Sequence, residues 1–196
     1  MESPPARTYR AGSLDDFDQL YRDCYPRLVR TLYGVLGDPT AAEDCVQEAF
    51  LKAFQAWPHF KPVRPAPVWL HRIAVNTAIS YRRSLKRREV TELLRRLGRP
   101  PAPADPAAQS ESADVIQALA ALPAKLSIPF LLRHYHGYST PEVAAITGAP
   151  ERTVRHRIEQ AAARLQKALG AGWNETLPQP GHHGVVLSCT EPTSDA

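Results

Sequence analysis

Apolar residues recur at three- and four-residue steps along most of the chain, the period of one face of an α-helix. Leu14, Phe17, Leu20, Tyr21, Cys24, Leu28, Leu32 and Val35 keep that step and predict a first helix, which Gly37-Asp38-Pro39 ends. Pro26 lies inside the run and is expected to kink or split it, because proline lacks the amide hydrogen and crowds the preceding turn. Asp38 is placed as the N-cap and Pro39 as the first residue of a second helix, about Thr40 to Trp57. Its apolar face carries Ala42, Val46, Ala49, Phe50, Ala53 and Phe54. A loop with Pro58, Pro62, Pro65 and Pro67 leads to a third helix, about Pro67 to Lys86. Trp69, Leu70, Ile73, Thr77 and Tyr81 are expected to face inward, and Val75 and Ile79 to be exposed among His71, Arg72 and Arg82. Farther on, Val115, Ile116, Leu119 and Leu122 run up to a break at Pro123, and a helix from about Ala124 to Tyr135 contains Pro129. No strand pattern competes, so the class expected is all-α.

Proline then sets the organisation. The chain has 19 prolines in 196 residues, about twice the usual share of about 5%. Pro100, Pro101, Pro103 and Pro106 crowd one stretch that cannot sustain a helix and has little to bury, which reads as a semi-stiff linker. Residues 98–112 therefore join two small helical domains, 13–97 and 113–170, with tails at 1–12 and 171–196. The hydrophobic fraction of 43% is enough for real cores and argues against a wholly disordered chain. No run approaches 18 apolar residues, so membrane insertion is not expected, and no secretory signal is visible. Cys24, Cys45 and Cys189 form no CxxC pair, which suits a reducing, cytoplasmic setting. Cys24 and Cys45 fall near apolar residues and read as packing.

The most specific local pattern lies between Ser139 and Leu169. Ser139-Thr-Pro-Glu142 has the form of a capping box, and Gly148 can end a short helix in the left-handed conformation. Pro150 then opens another helix, which is a helix-turn-helix spacing. At 100° per residue, Val154, Ile158, Ala161, Leu165 and Leu169 share one face. Arg152, Thr153, Arg155 and His156 fall on or beside the opposite face, with Arg157 on a flank. Guanidinium groups near the start of such a helix suit bidentate contacts to guanine or phosphate in the major groove. The plainer alternative is a helical hairpin with a solvated charged face. Contact is expected to fade after the second turn, where Glu159, Gln160 and Ala163 lie outward.

Charge refines this picture only once it is mapped. The net charge of +4 is too small to decide anything about nucleic acid. Its distribution is uneven. Asp38, Glu43, Asp44 and Glu48 share the second helix with Gln47, relieved by Lys52, a surface suited to a basic protein partner or simply to solvent. From Arg82 to Arg99 the balance is +6, for which phosphate binding is the natural use. Trp57, Phe60 and Trp69 just ahead could stack on bases, although Trp69 fits the core better. No carboxylate cluster with metal spacing and no activated nucleophile is visible, so an enzyme is not expected. His182, His183 and Cys189 are loosely spaced and lack a fourth metal ligand. Neither a metal nor a cofactor is expected.

Taken together, Asp44-Cys-Val-Gln47-Glu48-Ala-Phe50-Leu51-Lys-Ala53-Phe54, then Trp69-Leu70-His-Arg72-Ile73-Ala74-Val-Asn76, then the helix-turn-helix with Thr153-Val154-Arg155, resemble the extracytoplasmic-function (ECF) sigma factors of bacterial RNA polymerase. The resemblance spans about residues 14–169. It implies a three- or four-helix region 2 bundle, a helix-turn-helix region 4, and no globular region between them. Asp44, Gln47, Glu48, Phe50 and Leu51 would then bind core polymerase at the β′ clamp, with the β flap as a second polymerase contact. Phe60, Arg72, Asn76, Arg82 and Arg83 would read the minus-ten element as melted strand. Arg152, Thr153, Arg155, His156 and Arg157 would read the minus-thirty-five element as duplex. Promoter DNA and an anti-sigma factor are the other partners implied. The competing reading is a stand-alone helix-turn-helix regulator that binds duplex without polymerase. The Glu159-to-Ala163 stretch departs from the family, which often carries a basic residue there, and the tail after Gly170 lies outside its core pattern.

Overall fold

A computed structural model describes residues 9–61, 63–95 and 111–170, with side chains throughout except at 89–95 and 111–113. Among these residues the regular structure is helical: α1 (Leu14–Leu36), α2 (Pro39–Ala56), a short 3-10 turn (Trp57–His59), α3 (Ala66–Arg95), α4 (Glu111–Ala121), α5 (Ala124–His134), α6 (Thr140–Thr147) and α7 (Glu151–Leu169). Local chemistry explains most of the boundaries. Ser13 caps α1 by accepting from the Asp16 amide, and Gly37 closes that helix with φ 75°. The Asp38 carboxylate accepts from the Ala41 amide at 2.9 Å to open α2. Pro26 does not split α1, which runs through it unbroken. Leu20, Cys24, Leu28 and Leu32 on both sides of it are buried in one core, and that burial outweighs a local proline penalty of about 3 kcal/mol. The third helix extends past the expected end to Arg95.

The first core joins α1, α2 and α3 around Leu20, Leu28, Val46, Ala49, Ala53, Trp57 and Leu70. Trp57 is fully buried, and its indole N–H donates to the Ser13 carbonyl at 2.8 Å, so its one polar group is satisfied. The second core gathers α4 to α7 around Leu126, Phe130, Leu132, Val143, Ile146, Val154 and Leu165. It also takes in Val35 of α1 and Val68 and Val75 of α3, so the halves on either side of the proline-rich stretch pack together. Two expectations for α3 change here. Val75 is buried and Ile79 half-buried against the second core, so neither faces solvent, and His71 is buried as well. The second core covers that apolar face of α3.

The joint is closely fitted. A Cβ on Gly34 would lie 3.2 Å from a Leu131 methyl, and a Cβ on Gly37 would lie 2.9 Å from the Ala120 Cβ. Arg82 donates to the Val35 and Leu122 carbonyls, each at 3.1 Å, and to the Ala120 carbonyl at 3.5 Å. Val35 and Ala120 lie in the last turns of α1 and α4, where carbonyls lack helical partners and the dipole favours a cation. The chain's proline-rich residues 98–110, the tail 171–196 and the histidines and cysteine considered there lie outside the described residues.

Within α6, the capping box is formed in full: the Ser139 side chain accepts from the Glu142 amide, and Glu142 accepts from the Ser139 amide at 2.8 Å. Gly148 ends the helix with φ 68°. Ser139→Ala is expected to lower unfolding free energy by about 1 kcal/mol, as for other helix N-caps. Urea unfolding followed by circular dichroism checks this, and an unchanged midpoint would show that the cap is not limiting.

Candidate nucleic-acid interface

Three surfaces carry the residues singled out from the sequence. On α7 the apolar face is set inward by Val154, Ala161 and Leu165, with Ile158 and Leu169 half-buried. That arrangement leaves Arg152, Arg155 and His156 exposed and Thr153 and Arg157 half-buried at its margins. Arg152, Thr153, Arg155, His156 and Glu159 line one shallow surface cavity, so the first two turns do converge. The Gln160 amide donates to Nε2 of His156 at 2.9 Å. Gln160, read as lying beyond the contact zone, therefore orients one of its members.

On α2, Glu43, Asp44, Gln47 and Glu48 are exposed on one side. Glu48 pairs with Lys52 at 2.6 Å. Phe50 is 5% exposed and sits in the first core, with its ring centroid 4.6 Å from that of Tyr21. It supports this face from beneath. Leu51 is 58% exposed, and Phe54 and Tyr21, which the sequence reading did not assign to the surface, are 48% and 40% exposed. Apolar groups thus border the carboxylates, as at the centre and rim of protein–protein contacts.

The third surface surrounds the loop before α3. Phe60, Lys61, Val63, Arg64, Trp69, Arg72, Ile73 and Asn76 border a cavity of about 350 Å³, within the size range of small-molecule sites. Phe60 is 7% exposed and stacks on Trp57 at a 10° interplanar angle, so only an edge reaches the opening. Arg72 and Asn76 are exposed, and Val63, at 84%, is the most exposed large apolar side chain described. Arg82 and Arg83 lie farther along α3: Arg83 is exposed, while Arg82 turns into the joint between the halves. Of the five candidates, Phe60, Arg72 and Asn76 therefore border the cavity, Arg82 lies in the joint and Arg83 is exposed on α3. Arg64 and Val63 were missed by the sequence reading, although their place in a proline-bounded loop beside Trp69 was the available signal.

A buried polar cluster lies in the same joint. The Arg27 guanidinium donates to the His136 carbonyl at 3.2 Å, and the Thr31 hydroxyl donates to the Arg27 carbonyl at 2.9 Å. With its hydrogen so engaged, Thr31 accepts from Nε2–H of His136, its close partner. On α3, Nδ1–H of His71 donates to the Pro67 carbonyl at 2.7 Å, and the Tyr138 hydroxyl lies 3.2 Å from that nitrogen. Both rings are neutral in this arrangement, 4.4 Å apart and edge-to-face. Nε2 of His71 and Nδ1 of His136 are buried without a hydrogen-bond partner. Burial pushes His71 down to about 4, with Arg27 adding to the effect, and pushes His136 well below its ordinary value, with His71 and Arg27 adding. Burial also raises the thiols of Cys24 to about 12 and Cys45 to about 11, so both are inert packing groups. Among the described residues, no group of three or more His, Cys, Asp or Glu is placed to hold a metal ion. None of the described helices is long and apolar enough to cross a membrane.

Known proteins share this architecture. A Sigma-70 region 2 family model matches residues 20–89, and a Sigma-70 region 4 model matches residues 112–165. The RNA polymerase sigma-E factor of Streptomyces coelicolor is 31% identical over 163 residues, which cover 82% of this chain and 89% of that one. The ECF RNA polymerase sigma factor SigM of Mycobacterium tuberculosis is 32% identical over 168 residues, covering 82% and 80%. Among solved structures, the sigma factor RpoE of Bartonella quintana, co-crystallised with the anti-sigma factor NepR, superposes with a TM-score of 0.66. It is 27% identical, and the match covers 80% of this chain and 98% of that one. CnrH in complex with the cytosolic domain of CnrY gives 0.61 at 28% identity, covering 82% and 92%.

The histidine pair makes the stability of the fold depend on pH. The unfolded chain takes up protons near the ordinary histidine value of about 6.5, while the folded chain resists until about 4 for His71. The unfolded state then binds more protons across that interval, so stability is full above about pH 6.5 and falls as pH drops through it. The limiting slope is about 1.4 kcal/mol per pH unit for each histidine. Urea midpoints measured at about pH 7, 6 and 5 should fall in that order, and His71→Phe should flatten the trend. A wild-type midpoint that holds steady to about pH 5 would show that the rings are hydrated and titrate normally.

Proposed function

This chain belongs to the extracytoplasmic-function sigma factors of RNA polymerase, and from that membership we propose how its three surfaces divide the work of starting transcription. It acts by binding, in the cytoplasm, where core polymerase and promoter DNA are found. The acidic face of α2 docks on basic helices of the polymerase β′ clamp through Asp44, Gln47 and Glu48, with Leu51 as the apolar contact and Phe50 behind it. Opposite charge steers such an encounter, and the exposed apolar border supplies the contact area. Region 4 engages the β flap and places α7 in the major groove at the minus-thirty-five element, where Arg152, Thr153, Arg155, His156 and Arg157 meet bases and phosphates.

The minus-ten element is taken as melted strand. The cavity bordered by Phe60, Arg72 and Asn76 has aromatic edges, a guanidinium and an amide, a set suited to an unstacked base. Arg82 and Arg83 continue the cationic track along α3 for the backbone. Unstacking costs a few kcal/mol per base, which a protein of this size does not supply alone, so promoter binding is weak without polymerase. The observation that most supports this reading is the pairing, in one small chain, of an uncovered acidic helix with a recognition helix whose arginines are exposed. A regulator that binds duplex by itself has no need of the first.

The test uses promoters found by mapping transcript starts after overproduction. Purified protein should direct core polymerase to those starts and bind the same duplexes only weakly alone. Tight, specific duplex binding without core, together with no transcription in its presence, would instead make the chain a stand-alone regulator. Asp44→Arg is expected to abolish core binding while leaving the circular dichroism spectrum unchanged, and retained affinity would refute the docking face. Arg155→Ala should cost about 1–3 kcal/mol and relax specificity at one base pair if it reads a base. Uniform weakening across sequences would make it a phosphate contact instead.

A further inference from the structure

A larger cavity than the one beside Phe60, of about 530 Å³, opens where α3, the α4–α5 turn and α7 meet. Its size also falls within the range of small-molecule sites. Arg82, Arg83 and Lys86 line it from α3, Lys125 from the start of α5 and Arg157 from α7, and no Asp or Glu lines it among the described residues. None of Arg83, Lys86, Lys125 and Arg157 is in an ion pair among the described residues. Gathering like charges into one recess costs free energy that a bound anion returns. Arg82 is held by the Val35, Ala120 and Leu122 carbonyls, so one of these cations is fixed in place before any ligand arrives.

Most of the remaining lining is apolar, with Leu36, Val75, Ile79, Ile128 and Pro129 among it. Leu85, half-buried and part of neither core, borders the cavity as well. We propose that this cavity binds a nucleoside polyphosphate, with the phosphates held between α3 and the pair Lys125 and Arg157 and the base against the apolar lining. Guanidinium forks and ammonium groups are the usual partners of phosphate. A polyphosphate chain carries several negative charges within a few bonds, which matches clustered cations better than a single carboxylate does. A bare inorganic anion would gain nothing from the apolar lining, whereas a base buries its faces there. Duplex DNA would offer the recess phosphates alone, because its bases stay stacked. Arg82, Arg83 and Arg157 are shared with the proposed DNA contacts, whereas Lys86, Lys125 and Leu85 are not, so the two readings can fail separately.

The backbone adds to the field of the side chains. Pro123, Ala124 and Lys125 bring the first turn of α5 to the cavity, and no side chain caps that helix. Its free amides and its dipole place further partial positive charge beside Lys125, where a phosphate is favoured. The walls come from both halves of the chain, α3 from one and α5 and α7 from the other. A ligand that touches all three binds the folded chain and not the unfolded one, so it raises the melting temperature by mass action.

The test uses the full chain without DNA or polymerase, at physiological ionic strength. Fluorescently labelled ATP and GTP are read by anisotropy, with unlabelled ATP, GTP and tripolyphosphate as competitors, and circular dichroism reports folding. At least one nucleotide should saturate the chain at one molecule per chain, raise its melting temperature and compete about tenfold better than tripolyphosphate, the advantage expected from burying a base. Lys86→Glu and Lys125→Glu, from opposite walls, should each weaken the nucleotide about tenfold through the lost and reversed charge. Lys167→Glu, exposed on α7 and outside the cavity, should change the affinity less than about twofold, because solvent and salt screen it. Leu85→Gln should weaken the nucleotide and leave tripolyphosphate unchanged. Tripolyphosphate that competes as well as the nucleotide would overturn the proposal, and so would an equal loss in Lys167→Glu, which would mark diffuse attraction to a basic surface. Absence of saturable nucleotide binding would also overturn it, and direct binding of a fluorescent peptide rich in Glu and Leu in its place would make the recess a protein groove.

Discussion

Helix ends inside a protein present carbonyls that the helix itself cannot satisfy, and the arrangement of this molecule turns on how three such ends are met. α1, α4 and α6 all finish at the joint between the two halves, and none receives a capping cation from its own last turn. The cations come from α3 and the loop before it. Arg82 serves α1 and α4 together, and Arg72 and Arg64 serve α6. A lysine could not do the work of Arg82, because only a planar fork with several N–H groups reaches three carbonyls at once. With these ends satisfied, Val35 and Val75 can be buried beside Leu119 and Leu131 without stranding backbone, and the second core extends onto α1 and α3.

The same groups explain why net charge misleads. A total of +4 averages an acidic face on α2, a cationic track on α3 and the exposed arginines of α7. On the proposed assignment these surfaces serve different partners. Helix geometry keeps them apart: on α2 the carboxylates are set opposite Val46, Ala49 and Ala53, which pack toward α1 and α3. Lys52, the one cation within the acidic run, is tied to Glu48 and to the Thr77 hydroxyl of α3. It braces the face from its edge and leaves Asp44 and Gln47 to carry its character.

What could be read from the sequence was what is local. The capping box at Ser139 and Glu142, the Asp38 cap, the Gly148 stop and the inward stripe of α7 depend on neighbours within four residues, and all took the expected form. The joint could not be read in that way. Its bonds link residues 109 and 105 positions apart, Arg27 with His136 and Thr31 with His136, and no periodicity encodes such a meeting. His71 looked like an outward residue because it stands beside Arg72. Val75 and Ile79 looked like an exposed apolar anomaly. Both readings assumed that α3 has a single buried side, whereas it is packed from two directions and carries cores on both. Pro26 does not split the helix for a related reason: a rule about an isolated helix was applied to one whose packing on both sides of the proline keeps it continuous.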